Sequence, residues 1–178
     1  MSKERPRTIR YSDQFQKKYT YELTEPAGRN FDEDFDPQLT PKEMLKLGVF
    51  GGAYFIGVDG LIPSDLPESW WRAVMLSEDG EKHAEHNYFG VRASQPLSVW
   101  RKKGWINEEH DPHGWFQWYC RYYRGRRLPE EDARQIKRWR QMRRHAAQVE
   151  KNCRSGDEDC RVRQRQALLH WAYDPRKI

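Results

Sequence analysis

The sequence predicts a mainly α protein: a single-domain helical array with a small irregular or β-containing Gly-rich segment and an extended N-terminal arm. Three observations point there. Helix-start signals recur along the chain, as Thr40-Pro41, Asp111-Pro112 and Pro129 followed by Glu130, Glu131 and Asp132. Ala133, Ile136, Trp139, Met142, Ala146 and Val149 repeat every three or four residues, the spacing of one apolar helix stripe. Finally, eight Trp, nine Tyr and seven Phe in 178 residues supply a core although mean hydropathy is only -1.11, and disordered chains lack aromatics. The length suits one domain. The expected division is an arm over residues 1–36 and a helical domain over 37–178.

The arm is polar, shows no helical apolar period and ends in Asp32, Glu33, Asp34 and Asp36. Its removal is expected to leave the fold intact, although Tyr11, Phe15, Tyr19 and Tyr21 leave open that it wraps over the core. Thr40 can cap the next helix, with Pro41 in its first turn, Glu43 closing a capping box and Gly48 stopping it after Leu47. The Gly-rich run 48–58 lacks the spacing of a phosphate loop and reads as a buried turn or strand. Short helices follow Pro67, to about Met75, and Pro96, to Gly104. Trp70, Trp71, Trp100 and Trp105, in or beside them, are expected in the core. Pro112 opens an aromatic helix that Gly125 ends, a long helix runs from Pro129 to about Asn152, and a last one from about Asp159 to Tyr173.

Charge is divided unevenly. Residues 1–100 carry a net -4, and residues 101–178 a net +9, with Arg the commoner cation there. No apolar run is long enough to span a bilayer, so no membrane partner is expected and the chain reads as soluble and intracellular, cytoplasmic or nuclear. Cys120, Cys153 and Cys160 form an odd set without a dense framework, as in a reducing compartment. Cys120 reads as a small core residue.

The blocks Phe89-Gly-Val-Arg-Ala-Ser-Gln-Pro-Leu-Ser-Val-Trp100, Gly114-Trp-Phe-Gln-Trp-Tyr-Cys-Arg-Tyr-Tyr123 and Arg163-Gln-Arg-Gln-Ala-Leu-Leu-His-Trp-Ala-Tyr173 resemble those of a family of uncharacterised proteins. That resemblance, over residues 36–178, implies no activity, cofactor or catalytic residue.

The residues themselves point to nucleic acid or another polyanion as partner. Phosphates favour Arg forks and Lys charges, and unstacked bases favour flat side chains. The candidate binding set is Arg121, Arg124, Arg126, Arg127, Lys137, Arg138, Arg140, Arg143, Arg144, Arg163 and Arg165 for phosphate, with Trp115, Trp118 and Tyr122 for bases. A salt-bridged solvated helix face over a buried aromatic stripe has the same signature. Within this set, replacing Arg124, Arg126 and Arg127 together is expected to weaken binding with little loss of stability.

Two further classes compete with this reading. An enzyme acting on nucleic acid or nucleotides would use Glu109, Asp111 or His113 as general acid or base. A protein-interaction scaffold would set the acidic arm against the chain's own basic half or a partner. The pairs His83/His86 and His110/His113 have metal-compatible helical spacing, but exposed histidines give the same pattern, and no cofactor or metal is expected. His145, Cys153, Cys160 and His170 lack the tight Cys spacing of a zinc knuckle.

Overall fold

The computed structural model describes residues 5–55, 62–72 and 74–178. It is helix-rich with one small antiparallel sheet, and only a little over a third of the chain is helical. Long ordered turns connect the elements, so "mainly α" applies chiefly to the C-terminal half.

The N-terminal arm is the first correction. Strands β1 (Arg7–Tyr11) and β2 (Tyr19–Leu23) pair antiparallel, with Arg7 opposite Leu23 and Tyr11 opposite Tyr19. Tyr11, Tyr21 and Leu23 are buried on one face, while Thr8, Arg10, Thr20 and Glu22 stay exposed. The search for a 3.6-residue period misses this two-residue alternation. Beyond the hairpin, Thr24 and Glu25 donate their N–H groups to the Gly125 carbonyl. Gly125 has φ +116, and a Cβ there would overlap the Glu25 backbone, so the crossing requires glycine. Phe35 then enters the core, with its ring 4.9 Å from that of Trp139.

Helix α1 (Pro41–Lys46) carries the expected capping box, since Thr40 Oγ1 accepts from the Glu43 N–H at 3.2 Å and Glu43 Oε2 from the Thr40 N–H at 2.7 Å. Gly48, at φ +62, ends it. The described part of the Gly-rich run, 48–55, forms consecutive turns and no strand, and residues 56–58 of it lie outside the described residues. After Pro67 the described residues form one 3₁₀ turn, Glu68–Trp70, in place of the helix expected to about Met75. Helix α2 (Leu97–Lys102) follows Pro96 as expected.

Helix α3 (Trp115–Arg124) starts later than expected, because residues 107–114 form turns tied by the Asn107 side chain to the N–H groups of Glu109 and His110. Every residue from Trp115 to Tyr122 is buried, as for a helix surrounded by other elements. The long helix divides at Met142 into α4 (Pro129–Gln141) and α5 (Arg143–Asn152), with Met142 itself in helical dihedrals. Its stripe holds: Ile136, Trp139 and Val149 are buried, Met142 and Ala146 half-buried, and Ala133 alone exposed. Helix α6 (Val162–Leu169) completes the array and is shorter than expected at both ends. A Cys153–Cys160 disulfide joins the end of α5 to the approach to α6, correcting the expectation of free thiols, while Cys120 is buried as expected. No described helix is long and apolar enough to cross a membrane.

Candidate nucleic-acid interface

The alternating Arg and aromatic residues of α3 form the interior of the protein, not a binding surface. Trp115, Trp118 and Tyr122 are each no more than 2% exposed, so none can stack a base in this fold. Trp118 Nε1 donates to Asp132 at 2.8 Å, and Trp115 Nε1 to the Gln135 carbonyl at 3.3 Å.

Arg121, wholly buried, donates from Nε to Asp65 Oδ2 at 2.9 Å and from Nη1 to the His110 carbonyl at 2.6 Å, Gln16 Oε1 at 3.1 Å and Asp111 Oδ1 at 3.2 Å. The rings of Tyr11, Tyr19 and Tyr21 surround its guanidinium, with centroids at 5.1, 5.0 and 5.2 Å. Arg126 donates to the other Asp111 oxygen at 2.6 Å and to Tyr19 Oη at 3.1 Å. Burial works against the charge of Arg121, but Asp65 and Asp111 outweigh it and leave its pKa above the ordinary value.

The neighbouring cations are also committed internally. Arg124 donates to the Asp65 carbonyl. Arg127 stacks on Tyr122 at 3.8 Å and donates to the carbonyls of Tyr122, Arg126, Arg29 and Asn30. Arg165 is wholly buried and donates to the carbonyls of Cys160, Pro175 and Ile178. Sequence alone could not separate these from surface cations, because a buried Arg looks identical until its carboxylates and carbonyls are located.

The catalytic candidates do not converge on a cleft. Glu109 is exposed, while Asp111 is buried and shared by two guanidiniums. His113 is buried with Nε2 2.8 Å from Asp13 Oδ2. Burial lowers the His113 pKa although the Asp13 contact opposes it. His110 Nδ1 meets Tyr19 Oη at 2.9 Å, so the two imidazoles serve different partners. His83 is bound to Asp79 at 2.9 Å, which raises its pKa, and its ring centroid lies 5.6 Å from that of His86. Among the described residues no group of three His, Cys, Asp or Glu side chains is placed to hold a metal.

What remains at the surface falls into two parts. Lys137, Arg140, Arg143 and Arg144 are exposed along α4 and α5, and Arg163 on α6. Among the described residues only Arg140 of these forms an ion pair, with Asp34 at 3.4 Å. From residue 137 to 144 the helical rise is about 10 Å, which spans about three phosphates of one strand.

The second part assembles where the sequence placed core. Trp105 is 39% exposed, and Trp100 and Trp171 are half-buried. Trp100 and Trp171 stack with centroids 5.9 Å apart at 22°, and Trp105 meets Trp100 edge-on at 5.8 Å. The Arg138 guanidinium lies 5.5, 5.8 and 5.3 Å from the Trp100, Trp105 and Trp171 rings. Its contacts are the Trp105 carbonyl at 2.9 Å and Gln135 Oε1 at 3.0 Å, with no carboxylate paired to it among the described residues. Burial, then the nearby Arg134, lowers the Arg138 pKa to about 10, which leaves it charged at neutral pH. Lys103 sits 4.6 Å over Trp105. Of this cluster only Arg138 was a sequence candidate. The signal for the rest was Trp100 and Trp105 within a Lys-rich turn, but pairing them with Trp171 requires the fold.

No protein-family model, curated protein or solved structure matches the chain.

Proposed function

We propose that the chain binds single-stranded nucleic acid, stacking bases on the Trp105 edge of the tryptophan cluster and drawing phosphates to Arg138, Lys102, Lys103 and Lys137. The observation that carries this reading is the Arg138 guanidinium, charged and without a carboxylate partner among the described residues, amid three part-exposed indoles. A solvated salt-bridged face would pair that charge with an acid. Flat rings beside unpaired cations are what a strand with splayed bases requires. Lys103 covers one face of Trp105 and is itself exposed, so it swings toward phosphate when a base takes its place. The cations of α4 and α5 extend the phosphate track, making the contact largely independent of base sequence.

Fluorescence anisotropy with a labelled oligothymidine, across a salt series and beside a duplex of equal length, tests this. Affinity should fall steeply with salt. Trp105→Ala should weaken single-strand binding by about 5- to 150-fold, the worth of one stacked base, and leave duplex binding unchanged. Lys137→Gln with Arg144→Gln should weaken both and flatten the salt slope by about 0.7 per lost contact on a single strand. Salt-insensitive binding, or full affinity in Trp105→Ala, would refute the proposal.

A further inference from the structure

The hairpin carries a second polar site, separate from the tryptophan cluster. A cleft of about 530 Å³ opens between β1, β2 and the segment before Leu66, and Arg10, Tyr11, Ser12, Lys18, Thr20 and Ser64 line it. Arg10 and Thr20 face each other across the register on the exposed side of the strands. Neither Arg10 nor Lys18 has a carboxylate partner among the described residues, although the chain carries acids close by in Asp13 and Glu22.

The walls are fixed by hydrogen bonds, exposed or part-buried on the β1–β2 side and buried only around Asp65. Asp13 Oδ1 accepts from the N–H groups of Phe15 and Gln16, both at 2.7 Å, while Oδ2 accepts from Tyr11 Oη at 2.9 Å and from His113 at 2.8 Å. Those bonds hold the turn that leads to Lys18, whose own N–H donates to Ser12 Oγ at 2.8 Å. Lys18 occupies the left-handed region at φ 50, which glycine adopts without strain. On the opposite wall Ser64 precedes Asp65, which Tyr21 and Arg121 hold at 2.8 and 2.9 Å. Two cations without a carboxylate partner among the described residues, and the hydroxyls of Ser12, Thr20 and Ser64, therefore line the cleft, whose volume suits a small organic ligand.

We infer that this cleft binds a phosphomonoester group. A guanidinium offers a fork to two phosphate oxygens, the ammonium supplies a point charge, and the Thr20 and Ser64 hydroxyls supply donors for the remaining oxygens. The same group occurs on a free nucleotide and at the 5′ end of a strand. The site goes beyond the proposed stacking surface and does not depend on it.

Calorimetric titration with inorganic phosphate, with AMP, and with 5′-phosphorylated and 5′-hydroxyl oligothymidine tests it. The variants are Arg10→Gln, which keeps the strand, and Lys18→Gly, which removes the charge at a position where glycine is unstrained. Phosphate and AMP should bind, and the double variant should weaken AMP about tenfold or more at an unchanged melting temperature. Trp105→Ala should leave AMP affinity unaltered, so this site can succeed or fail independently of the stacking surface. A 5′-phosphate preference that the double variant abolishes identifies the strand end as the source, and equal affinity for both oligonucleotides identifies the free ester. Absence of phosphate and AMP binding at millimolar concentration, or AMP binding unchanged in the double variant, overturns the inference.

Discussion

Arg121→Met tests whether the buried ion network holds the N-terminal hairpin to α3. The substitution keeps an unbranched side chain as far as the position of Nε and removes five hydrogen bonds, to Asp65, His110, Asp111 and twice to Gln16. Asp111 keeps Arg126, so its charge stays compensated. Among the described residues, Asp65 loses its only ion-pair partner while its other oxygen, Oδ1, already lacks a hydrogen bond. Breaking a buried pair on one side costs about 3–5 kcal/mol, because the remaining charge is left desolvated. In a domain of this size that lowers the melting temperature by about 6–20 °C. Urea unfolding followed by tryptophan fluorescence gives the free energy, and adding Asp65→Leu should recover part of the loss, since two apolar groups replace a buried pair at little cost. A loss below about 1 kcal/mol in Arg121→Met would refute the assignment.

Three further outcomes are expected. Deleting residues 1–36, contrary to the expectation from sequence, should unfold the protein or strip it of cooperative melting, because Tyr11, Tyr21, Leu23 and Phe35 leave the core and Asp65 loses Tyr21; a melting curve unchanged by the deletion would contradict this. Stability should decline as pH falls below about 6.5, the ordinary histidine value: burial lowers the pKa of His113 and, to about 3, that of His170, so the unfolded chain takes up protons that the native state refuses. Urea midpoints between pH 7 and 4.5 should show that decline, and His170→Gln should reduce the slope. Reducing the Cys153–Cys160 disulfide opens a loop whose ends are seven residues apart, which should cost about 2–3 kcal/mol, read as a lower urea midpoint that Cys153→Ser reproduces.

How far sequence carried differs by element. The capping box at Thr40 and the α4–α5 stripe were legible because their determinants lie within a few residues of each other. The hairpin was not, since its two-residue alternation is short and its apolar face is made of tyrosines that also form hydrogen bonds. The basic half was misread for a related reason: composition counts Arg121, Arg126 and Arg165 with the exposed cations, but burial depends on acceptors such as Asp65 and the Pro175 carbonyl, supplied from elsewhere in the chain. The size of Trp100 and Trp105 alone predicts an interior position. Their exposure follows from α2 lying at the periphery, which no local pattern encodes.

The pairing of Gln16 with Arg121 joins residues 105 positions apart, and Thr24 reaches Gly125 across 101. During synthesis the first strands therefore emerge long before their partners exist. At ordinary elongation rates of about 5–20 residues per second, the hairpin waits roughly 5–20 s with its tyrosine face uncovered. An isolated two-stranded hairpin is marginal in water, so the beginning of the chain acquires structure only after α3 has been made. Docking of the hairpin consequently waits for a helix made roughly 5–20 s after it, a non-local closure of the kind that slows folding.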